Sequence, residues 1–413
     1  MPAHIQGPAP SHRAESSAPL ATTLLHLVFM VACGQMAQTI FVPALPLIAS
    51  GLHADAGQLQ GIMAAYLLAY GLLQFVYGPI SDKIGRRKPL LFGIGLSVVG
   101  ALFAANASSV NMLILASCLQ GCGTAAAGAL SRSIPRDHYF GDRLMKFNSY
   151  VSMAVVFLPL VAPFIGSFTS GHFGWQSVYY TLAVFSAGVF VMLLLGFKES
   201  LPVEKREPTS FIQAYRKVMR HKAFRGYMLG LVATFAGIAA FEAIGGVLYG
   251  QSLKMSPMMV SIWFVAPIPG YLLGAMMASR SDNMRKLMNR GIALLGSGAL
   301  VMLIPGLFGL VVGWTLLLGS ILFFCGAGVM FPALTSAALE PFPRQAGIAG
   351  ALLGGLQNFG AGLAATVMAL LPMHGQLSIG AICAVMVMVV VFALNYAKTH
   401  AGHAGSHDMQ AQI

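Results

Sequence analysis

Charge is what this chain has least of. Asp, Glu, Lys and Arg make up 9% of its 413 residues, and only 12 residues are acidic. Water-soluble domains carry about a quarter of their residues as charges, so a soluble globular protein is excluded. Ten-residue segments of alternating apolar and polar residues are missing as well, which disfavours a membrane β-barrel. No cluster of His, Asp or a nucleophile falls inside the apolar stretches, and most of the 11 histidines lie in tails and loops. A membrane enzyme is therefore disfavoured. So is a sensor or receptor, because no soluble output domain is present. The five cysteines, Cys33, Cys118, Cys122, Cys325 and Cys383, all sit in apolar segments. Cys118 and Cys122 share a helix face, but no His or carboxylate joins them to complete a metal site. They read as small buried apolar residues, and neither a metal nor an oxidising compartment is implied. The N-terminal stretch MPAHIQGPAPSHRAESSAP is polar and lacks a cleavable-signal pattern. The first apolar span is expected to double as the insertion signal.

What is present is apolar length. Hydrophobic residues are 57% of the chain and the mean hydropathy is +0.76. With about 20 apolar residues per span, twelve transmembrane helices are expected. The first six lie at 21–49, 58–80, 89–107, 110–133, 146–169 and 177–197. The second six lie at 225–250, 256–279, 290–309, 314–339, 345–371 and 376–397. This is an all-α membrane protein: a tail at 1–20, a six-helix bundle at 21–197, a central loop at 198–224, a second bundle at 225–397 and a tail at 398–413. The net charge of +12 does not call for nucleic acid, because the basic residues gather in alternate loops at 83–88, 132–146, 198–225, 280–290 and 344. Lys254 alone falls on the other side. That bias places both termini in the cytoplasm, in a multi-pass protein of the bacterial inner membrane. In the central loop, Phe211, Tyr215 and Val218 recur at helical spacing against Arg216, Lys217 and Arg220. They predict a short basic amphipathic helix on the inner leaflet, with a solvated linker as the alternative.

The densest charge lies in Gly78–Leu91, GPISDKIGRRKPLL. Asp82, Lys83, Arg86, Arg87 and Lys88 crowd between two apolar spans, with Gly85 supplying the turn. Charges at that density belong at a membrane surface. The spacing Gly78-x-x-x-Asp82-x-x-Gly85-Arg86-Arg87 resembles the loop 2–3 signature of the major facilitator superfamily, Gly-x-Leu-x-Asp-x-x-Gly-Arg-Lys. The resemblance implies that Asp82 and Arg86 latch the helix ends of the two halves together, and that glycine permits close packing.

Further stretches carry the same likeness. Ala162-Pro163-Phe164-Ile165-Gly166-Ser167 in segment five is similar to the antiporter signature ending Gly-Pro-x-x-Gly-Gly. Pro163 is expected to bend that helix and the small residues to let it pack closely; in the family this element marks exporters. Lys198-Glu199-Ser200-Leu201-Pro202 resembles the Pro-Glu-Thr-Leu-type ending of segment six in drug:proton antiporters. Segment four keeps Leu119-Gln120-Gly121-Cys122-Gly123 but has Ser117 where that branch has a buried Arg, leaving Arg132 as the nearest basic candidate. The stretches at 34–43, 65–71, 238–243, 267–269 and 340–358 resemble one multidrug exporter of that branch nearly end to end. The halves also echo each other at about 200 residues: Gly121-Cys122-Gly123 with Gly326-Ala327-Gly328, and Asp82 with Asp282. Such repeats build two pseudo-symmetric bundles with a substrate site between them.

One acid does not fit the loops. At about 1.5 Å per residue, Glu242 stands about 25 Å from Arg225 and about 18 Å from Lys254. No basic residue in any span is placed to pair with it. Ionisable groups at such depth are functional candidates by default, so Glu242 is expected to carry a proton, to meet a cationic drug, or both in turn. A neutral acid merely bonding a neighbouring helix is the alternative. Gln35 lies at the matching depth in segment one and shares a face with Gln38 and Thr39. These three, Tyr66 and Tyr70 on segment two, Phe241, Phe264, Gln357 and Asn358 complete the candidate cavity. Packing accounts for the same polar groups almost as well.

The resulting expectation is a proton-driven exporter of varied amphipathic or cationic compounds, needing no cofactor beyond the proton gradient. It would work by alternating access, with Gly78, Asp82, Gly85, Arg86, Arg87, Arg132, Pro163 and Gly166 as the gating set. Small molecules, protons and membrane lipids are its expected partners, and the chain is expected to act as a monomer. The rival within transport is an exporter of one metabolite class, such as a sugar, nucleoside or amino acid. Uncoupled facilitation is a second rival.

Overall fold

The computed structural model describes residues 20–139, 141–206, 211–281, 283–342, 346–370 and 375–401. The tails at 1–19 and 402–413, Asp282 and the turn around Arg344 lie outside the described residues. Among the described residues all regular structure is helical. The first half contains α1 (Leu20–Thr39), α2 (Leu45–Leu52), α3 (Ala56–Ile84), α4 (Arg87–Ala105), α5 (Val110–His138), α6 (Gly141–Phe173) and α7 (Gln176–Gly196). A connecting helix α8 (Phe211–Arg220) leads to α9 (Lys222–Val247), α10 (Pro257–Val265), α11 (Pro267–Ser279), α12 (Met284–Leu307), α13 (Gly313–Leu339), α14 (Ala346–Leu370) and α15 (Gln376–Ala401).

The helix ends follow local chemistry. Asp55 accepts from the Gln58 backbone amide at 2.8 Å while the Gln58 side-chain oxygen accepts from the Asp55 amide, a capping box that starts α3. Ser109, Ser256 and Asn283 cap α5, α10 and α12 by a single side-chain bond each. Proline breaks two expected spans. Pro43 and Pro46 lack the amide a continuous helix needs, so segment one runs as α1, a 3-10 turn at Val42–Ala44, and α2. Pro267 divides segment eight into α10 and α11. Segment seven ends in a π-helical turn, Leu248–Ser252. Elsewhere the helices outrun the apolar stretches: α3 continues through Asp82, α5 to His138 and α6 back to Gly141.

The two halves pack alike. In the first, α4 lies against α5 and α7, and α1 against α5 and α6; in the second, α12 lies against α13 and α15, and α9 against α13 and α14. The glycine pairs serve corresponding contacts in exchanged order. Gly121 faces the Tyr66 carbonyl on α3 and Gly123 the Gly93 carbonyl on α4; Gly328 faces the Tyr271 carbonyl on α11 and Gly326 the Gly291 carbonyl on α12. A Cβ at any of the four would press into neighbouring backbone, and that close approach is why glycine stands there. Along the chain, basic connections alternate with charge-poor ones, and Lys254 falls among the latter.

Helix α8 forms where the sequence predicts it, but its apolar side turns inward. Val218 is fully buried and Tyr215 meets Phe75 of α3 edge-on at 6.4 Å. The helix packs under α9 and α14, with Arg216, Lys217 and Arg220 exposed. Protein covers Val218 and part of Tyr215, while the side chain of Phe211 lies outside the described residues.

Candidate functional site

On the charge-poor side the halves meet at three places: the 3-10 turn and α2 against α9, α6 against α10, and α3 against α14. At the first, Gly246 faces Val42 and Gly250 faces Pro46. At the second, Ser261 Oγ donates to the Pro163 carbonyl at 3.0 Å and Ser167 Oγ approaches Met258 Sδ at 3.7 Å. Proline at 163 leaves the preceding turn of α6 short of one hydrogen bond, and the small residues beside it let α10 come close. Gly166 faces inward instead, against the Ile40 carbonyl of segment one. At the third, Gly57 faces the Ala369 carbonyl and Gly71 the backbone of Phe359.

Glu242 lies at the first of these seams. Its Oε2 accepts from Gln38 Nε2 at 2.8 Å, a bond between α9 and α1 and so between the two halves. Among the described residues Glu242 has no ion-pair partner. The amide that faces it belongs to Gln38, one turn beyond Gln35, the residue that matched its depth. The Gln35 carbonyl is taken by the Thr39 hydroxyl at 3.0 Å, and Thr39 is buried, so that hydroxyl serves its own helix.

Behind Glu242 the second half is aromatic. Phe241 stacks on Phe264 at 5.9 Å between centroids and meets Phe324 edge-on at 5.4 Å. Both Phe241 and Phe264 are buried, which makes them the wall behind the carboxyl rather than a free surface. Tyr66 is likewise internal: its hydroxyl donates to the Gly34 carbonyl at 2.8 Å, lies 3.0 Å from Thr124 Oγ1, and its ring stacks on Tyr70 at 5.7 Å. That arrangement ties α1, α3 and α5 together and leaves Tyr70, only half-buried, as the ring with open surface. Asn358 donates back to Gly354 of its own helix at 2.8 Å, and Gln357 beside it is buried.

The basic turn is built differently from the expected latch. Arg86 is 6% exposed. It pairs with Asp82, donates from Nε to Asp137 Oδ2 at 3.0 Å, and donates from Nη1 to Ser81 Oγ at 2.7 Å. Burial works against its charge, but the hydrogen bond and charge of Asp137, with Asp82 behind them, hold its pKa above the ordinary arginine value. Glu199 accepts from the amides of Arg86 at 2.7 Å and Arg87 at 3.2 Å, so its carboxylate sits on the N-terminus of α4. Ser200 Oγ donates to Asp137 at 2.8 Å. Arg87 donates to the carbonyls of Phe197 at 2.8 Å and Leu194 at 2.7 Å at the end of α7. These groups belong to the first half and to the start of the central loop, and among the described residues none comes from the second half. In this conformation the Asp82–Arg86 network braces one bundle rather than latching the two together. Gly78 is not closely packed either, for a Cβ there would meet nothing within 4 Å. Gly85 does what the turn requires, with φ of 96° and the Glu199 carboxylate where a side chain would go.

Near the basic face a different residue joins the halves. Arg132 Nη1 on α5 donates to the Gly350 carbonyl on α14 at 2.8 Å. Its guanidinium lies against Gly354, where a Cβ would collide with it.

Comparison with known proteins agrees with this architecture. Residues 27–365 match the family described as Major Facilitator Superfamily. The chain is 42% identical over 383 residues to Multidrug resistance protein D of Escherichia coli (strain K12), covering 92% of this chain and 97% of that protein. It is 27% identical over 368 residues to Multidrug resistance protein MdtL of Shewanella oneidensis, covering 85% and 91%. Among solved structures, the partially occluded inward-open xylose transporter XylE from E. coli superposes with a TM-score of 0.71, covering 93% of this chain and 98% of that one. At 15% identity, that likeness speaks for the fold alone.

Proposed function

The chain belongs to the major facilitator superfamily, and from that membership we propose that it is a proton-coupled antiporter exporting varied amphipathic or cationic drugs by alternating access. The family and fold are those of transporters, and the 42% identity to a protein named for multidrug resistance supports drug efflux. The chain works in the bacterial inner membrane, as a monomer surrounded by lipid, with its basic face and both termini in the cytoplasm.

The observation that carries the coupling is the Gln38–Glu242 bond across the seam. An ionised carboxylate accepts a hydrogen bond about twice as strongly as a neutral one. The charged acid therefore holds α1 to α9 and keeps the charge-poor side shut, while a proton weakens that hold. A cationic drug and a proton compete for the same carboxyl, so each is released as the other binds. The proton gradient is the energy source.

The test uses purified protein in liposomes with an imposed pH gradient, following ethidium transport by wild type and Glu242→Gln. Wild type accumulates the dye against its gradient, whereas the variant binds or merely equilibrates it. Equal pumping by the variant removes Glu242 from the coupling, and no transport by either protein replaces the drug-exporter reading with that of a narrow metabolite exporter.

A further inference from the structure

Arg132 is left over from this mechanism, and its surroundings are unusual for a charged residue in a span. At about 1.5 Å per residue it lies about 9 Å inside the basic end of α5. Among the described residues no carboxylate pairs with it, and its one hydrogen-bond acceptor is the Gly350 carbonyl. A guanidinium carries five N–H donors, and this side chain lies against Gly354 while keeping accessible surface. The space beside Gly350 is open, since a Cβ there would meet nothing within 4 Å.

The same face of α5 carries a second cation. Arg136, also exposed, follows one turn later, where like charges repel unless something neutralises them. The neighbouring carboxylate, Asp137, is committed to Arg86 and Ser200. One turn deeper than Arg132, a Cβ at Gly128 would meet the Tyr70 hydroxyl and the Gln74 side-chain nitrogen. The lining therefore offers two guanidinium groups, an amide and a hydroxyl, with no acid among them.

We propose that Arg132, flanked by Arg136, Tyr70 and Gln74, is a binding site for the anionic head of an amphipathic substrate: a sulfonate, sulfate, carboxylate or phosphate. The anion replaces the Gly350 carbonyl as the partner of Arg132, because a charged acceptor is the stronger one and a guanidinium holds such oxygens with two parallel bonds. Binding there releases α5 from α14. This widens the substrate class beyond cations, with Glu242 serving positive groups and Arg132 negative ones at different depths of one path.

The experiment compares two probes with one apolar body and opposite heads, a dansyl-aminoethyl sulfonate and a dansyl-aminoethyl trimethylammonium. Binding is titrated by fluorescence to the purified full chain. Arg132→Gln is expected to weaken sulfonate binding by about tenfold or more. It should leave the trimethylammonium probe unchanged or bound more tightly, and Arg132→Lys should recover much of the sulfonate affinity by restoring the charge. Equal sulfonate binding by wild type and Arg132→Gln would overturn the proposal. So would a matched loss of both probes, which marks a structural clasp to Gly350, or a failure of Lys to recover any affinity. Export of the cationic probe by the wild-type protein under a pH gradient reads the exporter function separately, so its failure and that of the anion site are told apart.

Discussion

If the bond between Gln38 and Glu242 helps hold the charge-poor side closed, Gln38→Leu should open it without touching the acid. The change keeps a side chain of similar size and removes the amide that Glu242 accepts from at 2.8 Å. A hydrogen bond to a charged group contributes about 1.5–3 kcal/mol. Because this one joins the two halves, it has to break when they part on that face. The equilibrium between closed and open should therefore shift toward open by about tenfold to a hundredfold. Spin labels on exposed positions of α3 and α10 near that face, read by pulsed dipolar spectroscopy in liposomes, report the two populations directly. The shift should be present at a pH where Glu242 is ionised and should shrink on acidification, since a neutral acid holds the amide less strongly. In a double-mutant cycle with Glu242→Gln, which keeps a neutral acceptor, the two single effects should fail to add by about half the energy of the charged bond. An unchanged distance distribution in Gln38→Leu, or strict additivity, would refute the role given to this bond.

The basic turn gives further expectations. Arg86→Met leaves Asp82 and Asp137 facing each other with no cation between them, and should cost about 3 kcal/mol. Thermal unfolding in detergent reads the loss, and adding Asp82→Asn and Asp137→Asn should recover most of it. Gly85→Ala puts a Cβ against the Glu199 carboxylate at a φ of 96° and should destabilise by about 1–3 kcal/mol; an unchanged melting temperature would contradict that geometry.

What the sequence discloses and what it hides divide along physical lines. Apolar length and the one-sided distribution of Lys and Arg are properties of whole segments, so the helices and the gathering of charge on one face are legible residue by residue. Glu242 is legible for the same reason: an acid far from either end of its span has nowhere polar to go. Its partner is harder to read. Depth matching points to Gln35, yet the amide that arrives is on Gln38, one turn away on the same helix, because a residue count along two spans does not fix how they slide against each other. The Asp82–Arg86 pair is legible as a motif but not as a location. Glu199 and Ser200 bring the end of segment six into the turn and keep its charges within one bundle, and the only trace of this in the sequence is the Lys-Glu-Ser-Leu-Pro stretch. Arg132 is the least legible, since its partner across the halves is a backbone carbonyl, which every residue has. Yet the contrast between the two arginines is chemical. Arg86 is enclosed by carboxylates and serine, so its charge is neutralised and its position fixed. Arg132 holds a neutral carbonyl beside open space, and a cation so partnered can exchange that acceptor for a charged one. The residue with the motif is the brace, and the residue without one holds a neutral acceptor across the halves.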